Sequence, residues 1–352
     1  MPHRIGNLWD IFVSEENCIR AEIVMGTNRP DNRMAQYIKR NPEKFGRSLS
    51  RKLKAGYSFH APRERDIKDS YKGKTRHLKI SCLEDVAAQQ AWLNVAVPHI
   101  EKRNYYYNCG SIPGAGQTRA VAGMKKSLRK KKSLKWAAIT DIRKFYESCP
   151  HKAVMDGLRK IFKDESFLRF ASLVLENMSG NGVGIAIGYP VSHWFANVAL
   201  MGLDHEMRRR FPDVVHFRYM DDVPFMSRNK KRLRKALMYF MACIRKMGME
   251  VKRNWQVFRI EVRGILFLSY RFFLGYTLLA KRLMVRISRK MVKASKHMTE
   301  RLARGIMSYL GILKYCDSQN FKSKRVYPYV NIKACRQLIS DADKKRNTLK
   351  TA

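Results

Sequence analysis

Apolar positions change period several times along the chain. Residues 1 to about 60 are polar and helical in spacing, with a basic stretch over 47–54. Residues 71–80 read as a strand–turn–strand with a basic tip. Gly73 suits the turn, and Leu78 with Ile80 starts a period of two. A helix is predicted over 84–101, where Val86, Trp92, Val95 and Ala96 form a loose stripe. The Gly/Pro-rich segment 109–116 is a loop. Residues 135–142 read as a buried strand ending in Asp141, and a helix follows from His151 with Val154, Leu158, Ile161 and Phe162 at helical spacing. Ser192 is the expected N-cap of another helix, with Trp194, Val198 and Met201 on one face. Residues 214–219 and 223–226 predict two short strands around Met220-Asp221-Asp222, and 267–273 a further strand. From Lys281 onward the pattern is helical and basic, with nineteen Lys or Arg against four acids. The irregular order of elements argues against a doubly wound parallel sheet and points to the α+β class. No repeat of solenoid period is present.

Charge sharpens this picture. Lys plus Arg is 71 and Asp plus Glu 29, a net charge of +42, while 45% hydrophobic residues allow a real core and exclude a disordered chain. Self-repulsion on this scale is best neutralised by a polyanion, and nucleic acid is the usual one. A ribosome-associated or histone-like binder has the same charge. A membrane-surface protein fits less well, because the basic residues spread along the whole chain. The most apolar stretch, 185–203, is broken by Pro190, Ser192, His193 and Asn197 and is too polar to span a bilayer. No apolar stretch follows Met1-Pro2-His3-Arg4, so no signal peptide is expected. Seven scattered cysteines without a C-x-x-C pair signal no zinc site and suggest reduced thiols in the cytoplasm. The basic run 125–135 reads equally as a solvated tract or a nucleic-acid contact.

The candidate chemistry lies in Phe217-Arg218-Tyr219-Met220-Asp221-Asp222-Val223. Adjacent aspartates at a turn between apolar strands raise each other's pKa, and a divalent cation relieves that repulsion. Two metals about 3.5–4 Å apart serve in-line phosphoryl transfer, and hard Mg²⁺ prefers carboxylate oxygen. An isolated Asp-Asp pair is usually an ordinary turn. Here a second strand ends in Asp141, supplying the third carboxylate that a two-metal site needs.

Four segments in order then resemble the reverse transcriptase family. Tyr219-Met220-Asp221-Asp222 looks like its Y-x-D-D box, and the segment from Asp141 to Ser148 resembles its first catalytic motif. The segment from Gly184 to Ser192 resembles the next motif, and the one from Gly264 to Tyr270 resembles the primer-grip strand. A weaker match reaches back to about residue 65. The resemblance implies a right-hand polymerase with an antiparallel palm sheet. Fingers would take 1–135, with an N-terminal helical extension, and return over 150–184. The palm would hold 136–149 and 185–275, and 276–352 would form a basic helical thumb.

The same resemblance implies site residues. Asp141, Asp221 and Asp222 would be catalytic and, with Ile142, would hold two Mg²⁺ ions, for which Mn²⁺ can substitute. Lys72, Lys74, Arg76, Arg143, Lys144, Phe145, Tyr146, Ile187, Gly188 and Lys252 would form the dNTP site. Tyr146 matches the steric gate against a ribose 2′-hydroxyl, Gly188 would let the backbone approach the templating pair, and Lys252 would protonate pyrophosphate. Leu268, Ser269 and Tyr270 would grip the primer. Outside this set, His193 reads as a residue of a helix's first turn, Trp194 and Phe195 as core, and the triplet Tyr105-Tyr106-Tyr107 as packing beneath a loop rather than stacking on bases.

Two departures refine the resemblance. Ile187 stands where many family members carry Gln, as in retroelements that diversify target genes, although His193 follows Ser192 where that group usually has Gln. Ser269 replaces the final Gly of the primer-grip box. The expected activity is RNA-directed DNA synthesis, with an RNA template, dNTPs and a cDNA product. A dedicated noncoding RNA in bacterial antiphage defence is the expected setting. The alternatives are an error-prone enzyme of a diversity-generating retroelement and a catalytically silent RNA-binding subunit. An RNA-dependent RNA polymerase fits the bulky Tyr146 poorly. An accessory protein or homo-oligomer is compatible with the sequence, and no membrane partner is expected.

Overall fold

The computed structural model describes residues 3–68, 75–112, 114–130 and 133–351. The chain begins with helices α1 (Trp9–Phe12), α2 (Glu15–Thr27), α3 (Arg33–Arg40) and α4 (Pro42–Ala55), then strands β1 (Arg63–Lys68) and β2 (Thr75–Ile80). Helices α5 (Leu83–Arg103) and α6 (Gly116–Lys130) precede β3 (Trp136–Asp141). Next come α7 (Phe145–Ser148), α8 (His151–Arg159), α9 (Glu165–Met178) and α10 (Ser192–Arg210). Strands β4 (Val215–His216) and β5 (Asp222–Ser227) are followed by α11 (Lys230–Lys246), β6 (Val257–Arg259), α12 (Ile260–Arg263), β7 (Ile265–Phe267), β8 (Tyr270–Phe272) and β9 (Thr277–Leu279). The chain closes with α13 (Lys281–Lys296), α14 (Glu300–Leu313), α15 (Gln319–Arg325) and α16 (Ile332–Thr351). Helices mix with antiparallel ladders, as the α+β expectation requires. The sheet orders are β1-β2, β4-β5-β3-β6 and β7-β8-β9. Among the described residues no helix is long and apolar enough to cross a membrane.

The chain divides into two compact units, one of 1–116, 140–223 and 234–255, the other of 117–139, 224–233 and 256–352. The first is built around aromatics. Trp92 stacks on Phe167 with centroids 5.2 Å apart and donates its indole N–H to the Phe167 carbonyl, while Phe195 and Phe162 meet its edge. Each buries a large apolar area, and edge and offset contacts add about 0.5–1.5 kcal/mol apiece. Asp164 caps α9 through Phe167 N–H and also accepts the N–H groups of Leu8 and Trp9, tying α1 to α9. The exposed β1–β2 ladder is registered by charge, with Asp66 facing His77 and Glu64 facing Lys79.

In the second unit α6 buries Val121, Met124 and Leu128. The sequence pattern singled out only the basic residues of that region. Tyr270 is buried and donates to the Ile312 carbonyl at the end of α14, and Asp317 ties back to Thr277 through two hydrogen bonds. The strand expected over 267–273 is instead the hairpin β7–β8. Leu268 at φ +50° and Ser269 at φ +70° form its turn, a conformation without a Gly or Asn signal. Ser192 is not an N-cap. Val191 occupies that position, and the Ser192 hydroxyl donates to the Ala186 carbonyl.

Candidate active site

The aspartates are brought together by two backbone devices in the first unit. Tyr219 and Asp222 exchange N–H···O bonds of 2.9 and 3.1 Å across a two-residue turn. Ile142 N–H, just past the end of β3, donates to the Asp221 carbonyl at 3.2 Å, and the Thr140 hydroxyl donates to the Val223 carbonyl at 3.0 Å. Asp141 therefore ends one strand beside the turn that carries Asp221 and Asp222. All three carboxylates are half-buried.

The turn is strained, and its support explains why it holds. Met220 sits at φ +55°, a left-handed conformation costing a non-Gly residue about 1–2 kcal/mol. Gly110 packs beneath it so closely that a Cβ there would lie 2.7 Å from the Met220 nitrogen. The Cys109 N–H donates to the Arg218 carbonyl, and the Arg218 N–H to the Tyr107 carbonyl.

Arg218 itself is fully buried. Its guanidinium lies 2.7 Å from Asp204 on α10, donates to both Asp204 oxygens and bonds the side chain and carbonyl of Asn197. Asn197 in turn donates to the Gly110 carbonyl and accepts from Asn108. Burial alone would push Asp204 up, but the Arg218 charge and hydrogen bonds, with the His216 ring 3.7 Å away, hold it below the usual carboxylate range. Tyr105 stacks on His216 and donates to its carbonyl, Tyr107 packs on Phe217, and Tyr106 is exposed. The sequence reading missed this network. Its signal was a charged residue, Arg218, inside the apolar run 214–220, which demands a buried partner.

Tyr146, on α7, points its hydroxyl at Met220 Sδ, 3.6 Å away. Burial first, and the nearby Asp221 charge second, push its phenol up to about 12, so it is neutral at working pH. The Lys252 ammonium lies 2.6 Å from Asp141 Oδ1, and its N–H donates to the Asp141 carbonyl. That buried Oδ1 takes the ion pair but accepts no well-directed hydrogen bond. An Asp141 oxygen in this condition, at a strand end that the backbone sets beside the Asp221–Asp222 turn, is the kind of donor a hard divalent cation such as Mg²⁺ prefers.

The sequence matches the family model described as reverse transcriptase (RNA-dependent DNA polymerase) over residues 67–272, more than half of the chain. The chain belongs to the reverse transcriptase family. No curated protein matches the sequence. Among solved structures, apo telomerase from Candida tropicalis is similar in fold, with a TM-score of 0.53 at 12% identity over 83% of this chain and 59% of that one. The form truncated from the C-terminal domain gives 0.46 at 13% identity, over 64% of this chain and 54% of that one. The reverse transcriptase thus spans less than two thirds of the length of these neighbours.

The remaining expected site residues of this reverse transcriptase fall into distinct groups. Lys72 and Lys74 lie outside the described residues. Arg76 is exposed on β2, and its charge opposes the upward shift of Tyr146. Arg143 and Lys144 are exposed and paired with Glu250 and Glu147. The side chains of Ile142 and Phe145 are buried, so any contact they make with metal or dNTP would be through the main chain. Ile187 is half-buried, and its carbonyl accepts from Lys79 N–H at 3.0 Å. Gly188, at φ +122°, is required by β2, since a Cβ would meet the Lys79 carbonyl at 2.3 Å. Leu268 and Ser269 form a turn in the second unit, where the Leu268 carbonyl accepts from Gln117. Tyr270 is core there. His193 is half-buried, which lowers its pKa, and Trp194 and Phe195 are core.

Proposed function

We propose that the chain is an RNA-directed DNA polymerase that copies an RNA template into cDNA by nucleotidyl transfer at Asp141, Asp221 and Asp222. The observation that carries this reading is the backbone link from Ile142 to Asp221, which sets the end of one strand beside an Asp-Asp turn in a chain of this family. Two Mg²⁺ ions held by these carboxylates would activate the primer 3′-hydroxyl and neutralise the leaving pyrophosphate. The rigid turn keeps the carboxylates oriented without reorganisation. The Tyr146 ring would close the sugar pocket against a 2′-hydroxyl, and Arg76 with Lys72 and Lys74 would grip the triphosphate. Leu268, Ser269 and Tyr270 would support the primer. Fingers over 1–135 and 150–184, palm over 136–149 and 185–275, and a basic thumb over 276–352 are the assignments this reading carries.

Primer extension on poly(rA) with oligo(dT), dTTP and Mg²⁺ tests it. The native chain extends, and Asp221→Ala with Asp222→Ala loses on the order of 10⁴-fold or more, the scale of disabling a catalytic unit. Failure of the native chain on both this template and its own co-purified RNA overturns the polymerase reading in favour of a silent RNA-binding subunit. Replacing Tyr146 with Ala should raise rNTP incorporation relative to dNTP by about 10–200-fold, the range for one small group in a pocket. An unchanged ratio removes Tyr146 as the gate.

The +42 charge supports a nucleic-acid template in general, and we read that template as a structured noncoding RNA in a bacterial antiphage role. Ile187 favours a second reading, error-prone copying in a diversity-generating retroelement. Misincorporation opposite template adenine, compared between the native chain and Ile187→Gln, separates the two. A marked gain in fidelity supports diversification, and no change supports the defence reading.

A further inference from the structure

The loop between α4 and β1 meets the first turn of α5 at a histidine, a cysteine and a carboxylate. Cys82 is the N-cap of α5 and Asp85 the third residue of the helix, so both side chains project into the space off its N-terminal end. His60 comes from the loop. Its Nδ1 lies 3.1 Å from Asp85 Oδ1 and 3.4 Å from Cys82 Sγ, and ligand atoms of all three lie within 4.8 Å of one another. Cys82 Sγ also accepts the Asp85 N–H at 3.5 Å, so the cap itself holds sulfur and carboxylate on the same side of the ring nitrogen.

Those two separations are close to the edges of a small tetrahedron of ligands. Zn–N, Zn–O and Zn–S bonds of about 2.0, 2.0 and 2.3 Å give N···O and N···S edges of about 3.3 and 3.5 Å. The outer shell is also present. The buried Asp85 carboxylate accepts the Tyr57 hydroxyl at 2.8 Å and the His60 N–H at 3.2 Å, which fixes its orientation.

We propose that His60, Cys82 and Asp85 form a zinc-class divalent-cation site, with its fourth position open to water, that staples the 56–62 loop to α5. A nitrogen, sulfur and oxygen set suits Zn²⁺ rather than Mg²⁺, so this site and the all-carboxylate site select different ions. The spacing in the chain is C-x-x-D with a distant His, which explains why a search for paired cysteines passes over it.

The test is independent of polymerase activity. The full chain, freed of metal by chelator and kept reduced with a phosphine, is titrated with Co²⁺ while thiolate-to-cobalt charge transfer and tetrahedral d–d absorption are followed. The expected result is one saturable equivalent, reversed by Zn²⁺. Cys82→Ser should remove the charge-transfer band and His60→Asn should weaken it. Tyr57→Phe should keep the band but lower affinity about 10-fold or more, as lost outer-shell support does. Circular dichroism of each variant separates loss of ligand from loss of fold. No saturable band in the native chain overturns the site. A band undiminished in folded Cys82→Ser, or untouched in folded His60→Asn, overturns this ligand set.

Discussion

Two aspartates of this chain each hold a cation, in opposite surroundings. Asp204 is buried against an equally buried Arg218, whose guanidinium also bonds the Asn197 side chain and carbonyl. Asp141 meets Lys252 at a part-exposed pair whose side chains keep 27% and 37% of their accessibility. The first pair cannot exchange its partner without leaving a charge stranded in the core. The second can, because the Lys252 side chain is part-exposed and its ammonium can turn to solvent when it leaves the buried Asp141 Oδ1. One arrangement ties Arg218, next to the Asp221–Asp222 turn, to α10, and the other leaves the proposed metal ligand Asp141 on an exchangeable partner.

The largest effect should come from breaking the buried pair. Asp204→Ala strands Arg218 and should cost about 3–5 kcal/mol of folding stability, read from denaturant midpoints. Replacing both partners with apolar residues, Asp204→Leu with Arg218→Met, should recover most of that loss. Primer extension should stay depressed in the recovered protein, because the guanidinium no longer ties the turn to Asn197. Full activity in the double variant would reduce the network to a packing role.

Glu22 sharpens the comparison as a buried carboxylate whose Oε2 has no hydrogen-bond partner among the described residues. It is 4% exposed, and burial first, with the Glu84 charge second, pushes its pKa up to about 7. A folded pKa above the unfolded one gives a contribution that is complete below about 4.5 and is lost as pH rises through about 7. Glu22→Gln should therefore flatten stability between these limits and gain on the order of 2–3 kcal/mol at pH 8, less the cost of burying an amide. A parallel pH dependence in the two proteins would show that Glu22 finds a partner when ionised.

What was legible in the sequence follows the same division. The aspartates stood out because adjacent charges between apolar strands are costly, and β3, α5 and α8 followed from their periodicity. The β1 strand, Arg-Glu-Arg-Asp-Ile-Lys, has no apolar alternation, because both faces are exposed and charge pairs across the ladder set its register. The Leu268–Ser269 turn was hidden inside an apolar run by residues that adopt positive φ at a cost. The Arg218–Asp204 pair joins residues 14 apart on different elements, and only the fold shows which acid answers the buried arginine.

The smallest predicted effect tests the exposed pair. Lys252→Met removes an ammonium from Asp141 Oδ1 while the main-chain bond from residue 252 to the Asp141 carbonyl is kept. Stability should change by no more than about 1 kcal/mol, as for other part-exposed pairs. The Mg²⁺ concentration giving half-maximal extension should fall a few-fold, because the ion no longer competes with a cation worth about 1 kcal/mol at water-like screening. Measuring the rate at saturating Mg²⁺ separates a second role. A rate that drops there, with the half-saturation point lowered, means that Lys252 both guards Asp141 and donates a proton to pyrophosphate. A half-saturation point that stays or rises means the ammonium does not oppose the ion, and the contrast between the fixed and the exchangeable pair then fails at Asp141.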